Sequence, residues 1–272
     1  MTASDRWREL HERHFPDLPF DCGNISDPGV RYSEHLRDWS AKATTPDQRR
    51  IEAYIDRYDL RQKRILHIGI GNSGLARRFH RRVKEIVGTT IDEPEMSVAR
   101  SLSLPNYGYV IHNKFGGEGD LIEGRFDFIL DNNPTSPCCC IRHLADLFRF
   151  YSEKLSDGGQ IVTDRQGLEW VPDGFNPRWS FDFDDLAKVG AAAGLVAFRM
   201  NRTIYVLSQS APSAPGALSV SRHWLRRAWK LPGQIARNGP RELARISRKG
   251  IKRASVAVLS ALPARNRPDK KL

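Results

Sequence analysis

The stretch Arg64–Ala76, which reads RILHIGIGNSGLA, decides the fold. Its first five residues, Arg64–Ile68, form a short apolar run that predicts a β-strand, and a glycine-rich turn follows directly: Gly69-Ile70-Gly71-Asn72-Ser73-Gly74. A helix is predicted at Ser73–Arg82. Glycines in such a turn let the backbone approach a ligand closely at the N-terminus of the helix. The stretch therefore predicts a binding site for an adenosine-containing cofactor.

Strands and helices alternate beyond this stretch. The further strands predicted are Glu85–Ile91, Gly108–His112, Phe126–Leu130 and Gln160–Thr163, and the helices are Pro94–Leu102, Cys140–Lys154 and Asp182–Ala193. Such alternation is typical of parallel βαβ units. Two final strands, Leu195–Met200 and Thr203–Leu207, flank a turn so short that they must be antiparallel. We predict an α/β fold with a doubly wound, seven-stranded, mostly parallel sheet and an antiparallel C-terminal hairpin.

The composition divides the chain into four predicted parts. Residues 1–60 read as an N-terminal helical cap or lid, with helices near Ser4–His14, Tyr32–Lys42 and Pro46–Tyr58. Residues 61–209 form the α/β domain, residues 210–220 a Ser/Ala/Pro linker, and residues 221–272 a basic amphipathic helical tail.

The charge of the chain belongs to its tail. The 272 residues hold 43 Lys and Arg against 32 Asp and Glu, a formal net charge of +11. Residues 211–272 carry +13 and residues 1–210 carry −2, so the body is near neutral. Patterned apolar residues, 40% of the chain, exclude general disorder. The charged start Met1–Pro16 lacks a signal-peptide pattern, and we expect a cytoplasmic location.

The four cysteines do not have the spacing of a disulfide framework, because Cys138, Cys139 and Cys140 are adjacent. No C-x-x-C pair suggests zinc, so no metal site is expected. A nucleophilic role is the alternative, but adjacent cysteines without an evident His/Asp partner favour small core residues.

Five segments together resemble the class I S-adenosylmethionine-dependent methyltransferases, over about Thr45–Ser208. Arg64–Ala76 resembles the family's first motif, Val87–Ala99 its second-strand motif and Phe126–Asn132 its fourth-strand motif. Tyr151–Thr163 is similar to its helix, Gly-Gly turn and fifth strand, and Leu195–Leu207 to its C-terminal hairpin. Within the same fold class, a nicotinamide-dependent dehydrogenase is the alternative, because G-x-G-x-x-G followed by an acid is also the dinucleotide fingerprint.

The resemblance implies that the cofactor is S-adenosylmethionine and assigns its contacts. Gly69, Gly71 and Asn72 are implied along the methionine and ribose, and Asp92, 18 residues beyond Gly74, is implied to bind the ribose diol. Glu93 and Met96 are implied near the adenine edge, and Asn113 is implied to face the adenine amino group. Asp131 and Asn132 are implied to face the sulfonium and the acceptor. His67 stands where the family usually has an acid, so it is a weak substitute contact to the methionine part.

Two residues are candidates for catalysis. Asp131 ends the fourth strand, although Asp-Asn-Asn-Pro is also a natural turn sequence. His143 lies where the family can place a general base, and an imidazole could take a proton from a hydroxyl acceptor. The sequence alone favours the other reading of His143, an exposed helix residue.

The acceptor is predicted from less direct signals. Gly167–Ser180 carries Trp170, Phe175 and Trp179, which could form an acceptor wall. The alternative is that these rings pack over the edge of the sheet. The predicted tail helices Ser219–Leu231 and Arg241–Leu262 combine apolar stripes with Lys and Arg, as suits an anionic membrane surface. We therefore expect a small-molecule, glycan or lipid-linked acceptor at the inner membrane face. The alternatives are an RNA methyltransferase whose tail binds phosphates, which is favoured less, and a non-catalytic binding or scaffold protein.

Overall fold

The computed structural model describes residues 2–23, 38–116, 121–136 and 138–212. The predicted linker lies mostly outside these residues and the basic tail entirely outside them, as does most of the helix predicted at Tyr32–Lys42.

Seven strands form one sheet in the spatial order β3-β2-β1-β4-β5-β7-β6. Their bounds are β1 Arg64–Ile68, β2 Glu85–Thr90, β3 Tyr107–Ile111, β4 Phe126–Leu130, β5 Leu155–Asp164, β6 Val196–Arg199 and β7 Ile204–Ser208. Neighbouring pairs among β1 to β5 are parallel, whereas β7 runs antiparallel to both β5 and β6. The predicted doubly wound sheet with an antiparallel C-terminal hairpin is confirmed.

Helices connect the strands in the predicted order. Their bounds are α1 Ala3–His14, α2 Pro46–Ile55, α3 Gly74–Phe79, α4 Glu93–Ser101, α5 Ile141–Lys154, α6 Arg165–Leu168 and α7 Phe183–Ala192. The helix predicted to reach Lys42 was wrong over its described end, 38–42. There Asp38 Oδ1 accepts the N–H of Ser40 at 2.7 Å, and a turn replaces the helix.

The two faces of the sheet bury separate cores. Leu66 and Ile129 belong to a cluster with α1, α5 and α7, whereas Ile65 and Phe128 belong to a cluster with α2 and α3. This division follows from the strand, where successive side chains point to opposite faces. Because helices cover both faces of the sheet, the ends of the strands remain accessible to a ligand.

The order β3-β2-β1-β4-β5 places the topological switch point between β1 and β4. In open α/β sheets, ligands bind beyond the carboxyl ends of the strands at this point. The glycine turn follows β1 there, and Asp92 and Asp131 follow β2 and β4. Among the described residues, no helix has the length and apolar character needed to cross a membrane.

Candidate functional site

The glycine turn takes a backbone conformation that favours glycine. Gly69 has φ +73° and Gly71 has φ +50°, both in the left-handed region. The N–H groups of Gly69 and Ile70 both donate to the carbonyl of Thr89, at 2.9 and 3.1 Å, and this fixes the turn to the end of β2. A helix then begins at Gly74, as the sequence predicts to within one residue.

The side chain of Glu95 fixes the glycine turn by accepting hydrogen bonds. Its Oε2 accepts the N–H of Gly71 at 3.1 Å and the hydroxyl of Thr90 at 2.7 Å. Burial raises the pKa of Glu95, and these hydrogen bonds oppose that shift. Sequence reasoning missed this residue, although an acid at the third position of a helix that follows β2 is a recognisable signal.

The segment at 39–44 packs over the same turn. Asn72 Nδ2 donates to the carbonyl of Lys42 at 2.6 Å. A Cβ added at Gly74 would lie 2.6 Å from Oγ1 of Thr44. The turn is therefore enclosed on this side by the chain that leads into α2, which belongs to the predicted N-terminal cap of residues 1–60.

Two adjoining cavities form a cleft along the carboxyl edge of the sheet. The first has a volume of about 320 Å³ and the second about 380 Å³. Five residues line both: Trp39, Gly69, Glu95, Asn133 and Trp170. The cleft is therefore continuous and has the size and position of a small-molecule site.

The first cavity lies between the glycine turn, β4 and α2. It is lined by His67, Gly71, Asn72 and Asn132 of the predicted site and also by Asp47, whose Oδ2 accepts the amide of Asn132 at 2.6 Å. Burial lowers the pKa of His67 to about 4, so this imidazole is neutral at pH 7.

The second cavity follows the ends of β2 and β3 and contains the predicted Asp92 and Asn113. Oδ2 of Asp92 is buried and has no hydrogen-bond partner within the described part of the chain. Burial raises the pKa of Asp92, and the nearby carboxylates of Asp38 and Glu93 add to the shift. A buried acceptor without a donor is an arrangement that a ligand hydroxyl would satisfy.

Asp131 lines neither cavity, although Asn132 beside it does. Its Oδ2 accepts Lys114 Nζ at 2.9 Å and also the hydroxyl of Tyr151, and its Oδ1 accepts the N–H of Asn133 at 3.0 Å. The carboxylate is fully buried. The structure thus gives Asp131 the contacts of a turn and a buried ion pair at the end of β4.

Three other predicted residues lie away from the cleft. Glu93 is exposed and pairs with Arg100, and Met96 is a buried residue of α4. The favoured reading of His143 as an exposed helix residue was wrong, because its side chain is only 4% exposed. It contacts cysteine thiols rather than either cavity.

Comparison with known proteins gives structural neighbours only. No family model and no curated protein matches the chain. The chain is similar to the N-methyltransferase NodS of Bradyrhizobium japonicum in complex with S-adenosyl-L-homocysteine, at 10% identity and TM-score 0.45 over 74% of this chain and 96% of that one. It is also similar to S-adenosylmethionine-bound CalS10, an amino pentose methyltransferase of Micromonospora echinaspora, at 13% identity and TM-score 0.46 over 66% of this chain and 95% of that one. A TehB-like S-adenosylmethionine-dependent methyltransferase of Corynebacterium glutamicum is similar at 16% identity and TM-score 0.46, over 65% of this chain and 95% of that one. At these values, what the chain binds and does has to be argued from its own site.

Proposed function

We propose that this protein transfers the methyl group of S-adenosylmethionine to a small-molecule acceptor. The observation that carries the proposal is the buried Oδ2 of Asp92, which has no hydrogen-bond partner among the described residues and lies at the end of β2, in the same cleft as the glycine turn. A ribose diol offers the donor that this oxygen lacks.

The residues present fit the cofactor along the whole cleft. Gly69 and Gly71 would let the backbone pass the methionine and ribose closely, Asp92 would hold the ribose, and Asn113 would face the adenine. When bound, S-adenosylmethionine supplies an electrophilic methyl group on a sulfonium. The protein then needs mainly to align the acceptor and to exclude water.

Asp47 supports the binding of a cationic ligand. The methionine part of S-adenosylmethionine carries an ammonium and a sulfonium, and His67 is neutral in the first cavity. Asp47 is buried and lines that cavity, held by the amide of Asn132. We infer that Asp47 supplies the negative charge that residue 67 does not.

The aromatic residues at the mouth of the cleft support a small acceptor with a flat or apolar face. Trp39 and Trp170 line both cavities and are 36% and 44% exposed, and Phe175 lines the second. Indole rings provide such a contact surface together with one hydrogen-bond donor. A glycan or a lipid-linked sugar fits this description, and we propose these as the first acceptors to test.

Calorimetric titration of the full-length protein with S-adenosylhomocysteine tests cofactor binding. Asp92→Asn should weaken binding by about 10-fold or more, because it replaces the ribose acceptor with an amide. Asp47→Asn should also weaken it. Glu93→Gln is the matched control, since this neighbouring acid is exposed and pairs with Arg100 on the surface. Binding of NADH without binding of S-adenosylhomocysteine would reject the proposal in favour of the dehydrogenase.

Transfer of a labelled methyl group to panels of sugars, lipid extracts and RNA then tests the acceptor. Labelling of a sugar or lipid that is lost in Asp92→Asn would support the proposal. Labelling of RNA alone would support the alternative that the basic tail binds phosphates.

The basic tail supports a location at an anionic membrane. Residues 211–272 carry a net charge of +13, and each Lys or Arg near such a surface contributes about 1 kcal/mol. Co-sedimentation of the full chain with phosphatidylserine vesicles should fall as salt rises and should disappear with neutral vesicles. Retention by RNA but not by vesicles would contradict this proposal.

A further inference from the structure

A group of four sulfur and nitrogen ligands lies away from the cleft. Cys22 follows α1 in the N-terminal segment, Cys139 and Cys140 directly precede α5, and His143 is in the first turn of α5. One potential ligand atom from each residue, a Sγ or a ring nitrogen, lies within 4.8 Å of all the others. Cys22 and Cys139 are 117 residues apart in sequence, so the fold itself brings them together.

The separations resemble the edges of a tetrahedron around one metal ion. Nδ1 of His143 lies 3.0 Å from Sγ of Cys139, 3.1 Å from Sγ of Cys140 and 3.5 Å from Sγ of Cys22. The sulfur of Cys139 lies 3.5 Å from that of Cys22 and 3.9 Å from that of Cys140. With standard zinc distances, the edges are about 3.8 Å for S···S and about 3.6 Å for S···N. These five separations are within about 0.6 Å of the ideal edges, and the sixth, between the sulfurs of Cys22 and Cys140, is at most 4.8 Å.

The ligand set selects the metal and the kind of site. Three cysteines and one histidine complete a four-coordinate shell, which is the pattern of structural zinc rather than of a catalytic site with an open position. Thiolate and imidazole ligands favour zinc over magnesium or calcium. His143 and Cys140 are buried, whereas Cys139 is half-buried and Cys22 exposed, so the ion would be shielded from water on one side.

The surrounding backbone holds the ligands in place. The N–H groups of Ile141 and Arg142, which have no partner inside α5, donate to the carbonyls of Pro19 and Phe20, both at 2.9 Å. Arg142 also pairs with Asp21 at 2.7 Å. These contacts join the segment that carries Cys22 to the start of α5, so the group is organised by the fold around it.

The positive end of the α5 dipole favours the charged form of one ligand. Cys140 is the N-cap residue of this 14-residue helix, and such a position stabilises a thiolate. Each cysteine that coordinates would release its proton to solvent, so uptake of the metal is accompanied by acidification of an unbuffered solution.

We propose that Cys22, Cys139, Cys140 and His143 bind one structural zinc ion that fixes the N-terminal segment to the start of α5. The expectation of no metal site rested on the absence of C-x-x-C. The signal that this expectation overlooked is the sequence C-C-x-x-H. His143 follows Cys139 by four residues and Cys140 by three, so the three side chains lie on the same side of the start of a helix.

Cobalt titration of the full-length protein, purified without added metal, tests the site directly. Tetrahedral thiolate coordination gives Co²⁺ intense visible bands and sulfur-to-metal charge-transfer bands, and zinc should then displace the cobalt. The expected end point is one Co²⁺ per chain. Failure to develop these bands, or a purified protein that contains iron in place of zinc, would overturn the proposal.

Cys22→Ser is the most informative variant, because Cys22 is exposed and its replacement should leave the core intact. It should lower the affinity for Co²⁺ by more than the roughly 10- to 100-fold that loss of an outer hydrogen-bond partner causes. Cys138→Ala is the matched control, since Cys138 adjoins the group in sequence but donates its S–H to the carbonyl of Cys140 and is not part of it. Equal loss of cobalt binding in both variants would contradict the assignment.

A measurement independent of spectra is thermal unfolding with and without zinc. Zinc should raise the midpoint temperature of unfolding of the unmodified protein and of Cys138→Ala, and a chelator should lower it in both. The reason is that the four ligands are brought together only in the folded protein. Cys22→Ser should show little response. A Cys22–Cys139 disulfide in protein purified under air-free, metal-replete conditions would replace the proposal with a redox pair.

Discussion

The backbone N–H of Gly71 donates a 3.1 Å hydrogen bond to Oε2 of Glu95, so the glycine turn after β1 is tied to the helix after β2. The same oxygen accepts the hydroxyl of Thr90, and Thr90 Oγ1 in turn accepts the N–H of Asp92 at 3.0 Å. One buried carboxylate thus positions both the turn and the residue that we assign to the ribose.

Glu95→Ala should therefore damage the site and the fold together. The variant leaves two donors in a buried environment without an acceptor, and we expect a loss of about 1–3 kcal/mol in the free energy of unfolding. Affinity for S-adenosylhomocysteine should fall as well, because Asp92 loses its support. Glu95→Gln, which keeps an acceptor oxygen, should recover part of both. Urea unfolding and calorimetry provide the measurements, and equal behaviour of Glu95→Ala and the exposed Glu93→Ala would contradict this role.

Gly167→Ala should distort the first cavity. A Cβ added there would overlap the carbonyl oxygen of Asn132, and that backbone cannot move without shifting the end of β4. We expect a loss of about 2 kcal/mol or more in stability and weaker cofactor binding. Gly108→Ala is the control, because its Cβ would meet only the carbonyl of Ile86 at 3.9 Å. A stable, fully binding Gly167→Ala protein would show that the close contact is absent in solution.

Lys114→Met should be strongly destabilising. It leaves the fully buried carboxylate of Asp131 without its cation, and such a loss costs about 3–5 kcal/mol. The double variant Lys114→Met/Asp131→Asn removes both charges and should be more stable than the sum of the single effects predicts. Chemical unfolding of the four proteins completes the cycle. A coupling energy near zero would mean that the pair is hydrated, and Asp131 would again be available for catalysis.

The fold could be predicted from the sequence because its signals are local. The apolar run Arg64–Ile68 and the glycines after it determine a strand and a turn within a few residues, and Phe126–Leu130 was placed with the observed bounds. The hairpin followed from the short distance between its two strands. Ends of elements were less accurate: β5 begins at Leu155 rather than Gln160, since pairing with β4 extends it.

The site was only partly predictable, because side-chain partners depend on tertiary contacts. Residues in the turn and at strand ends, such as Gly69 and Asp92, line the cleft as the sequence implies. The roles of Glu95 and Asp47 depend on which segments meet at the carboxyl edge of the sheet, and a linear pattern does not contain that information. The same limit applies to His143, whose ring nitrogen contacts the sulfur of Cys22, 121 residues away in the sequence.

His67 should make the protein sensitive to mild acid. Its pKa is lowered by burial from 6.5 to about 4, so between these values the unfolded chain binds a proton that the folded chain does not. Stability contributed by neutral His67 is complete above pH 6.5 and is lost as the pH falls toward 4. The loss attributable to this residue should be about 2 kcal/mol at pH 5 and about 3 kcal/mol at pH 4.

Comparison with His67→Gln isolates this effect, because all other titrating groups are common to the two proteins. Urea unfolding at several pH values from 8 to 4.5 should show a flatter acid limb for the variant, whatever its stability at pH 8. His14→Gln, at an exposed position on α1, should follow the unmodified protein throughout. Parallel curves for the unmodified protein and His67→Gln would mean that folding does not lower the pKa of His67, which would then be protonated in the folded protein at mildly acidic pH. The first cavity would then hold a cation beside Asn132, and it would repel the cationic ligand that we propose for it.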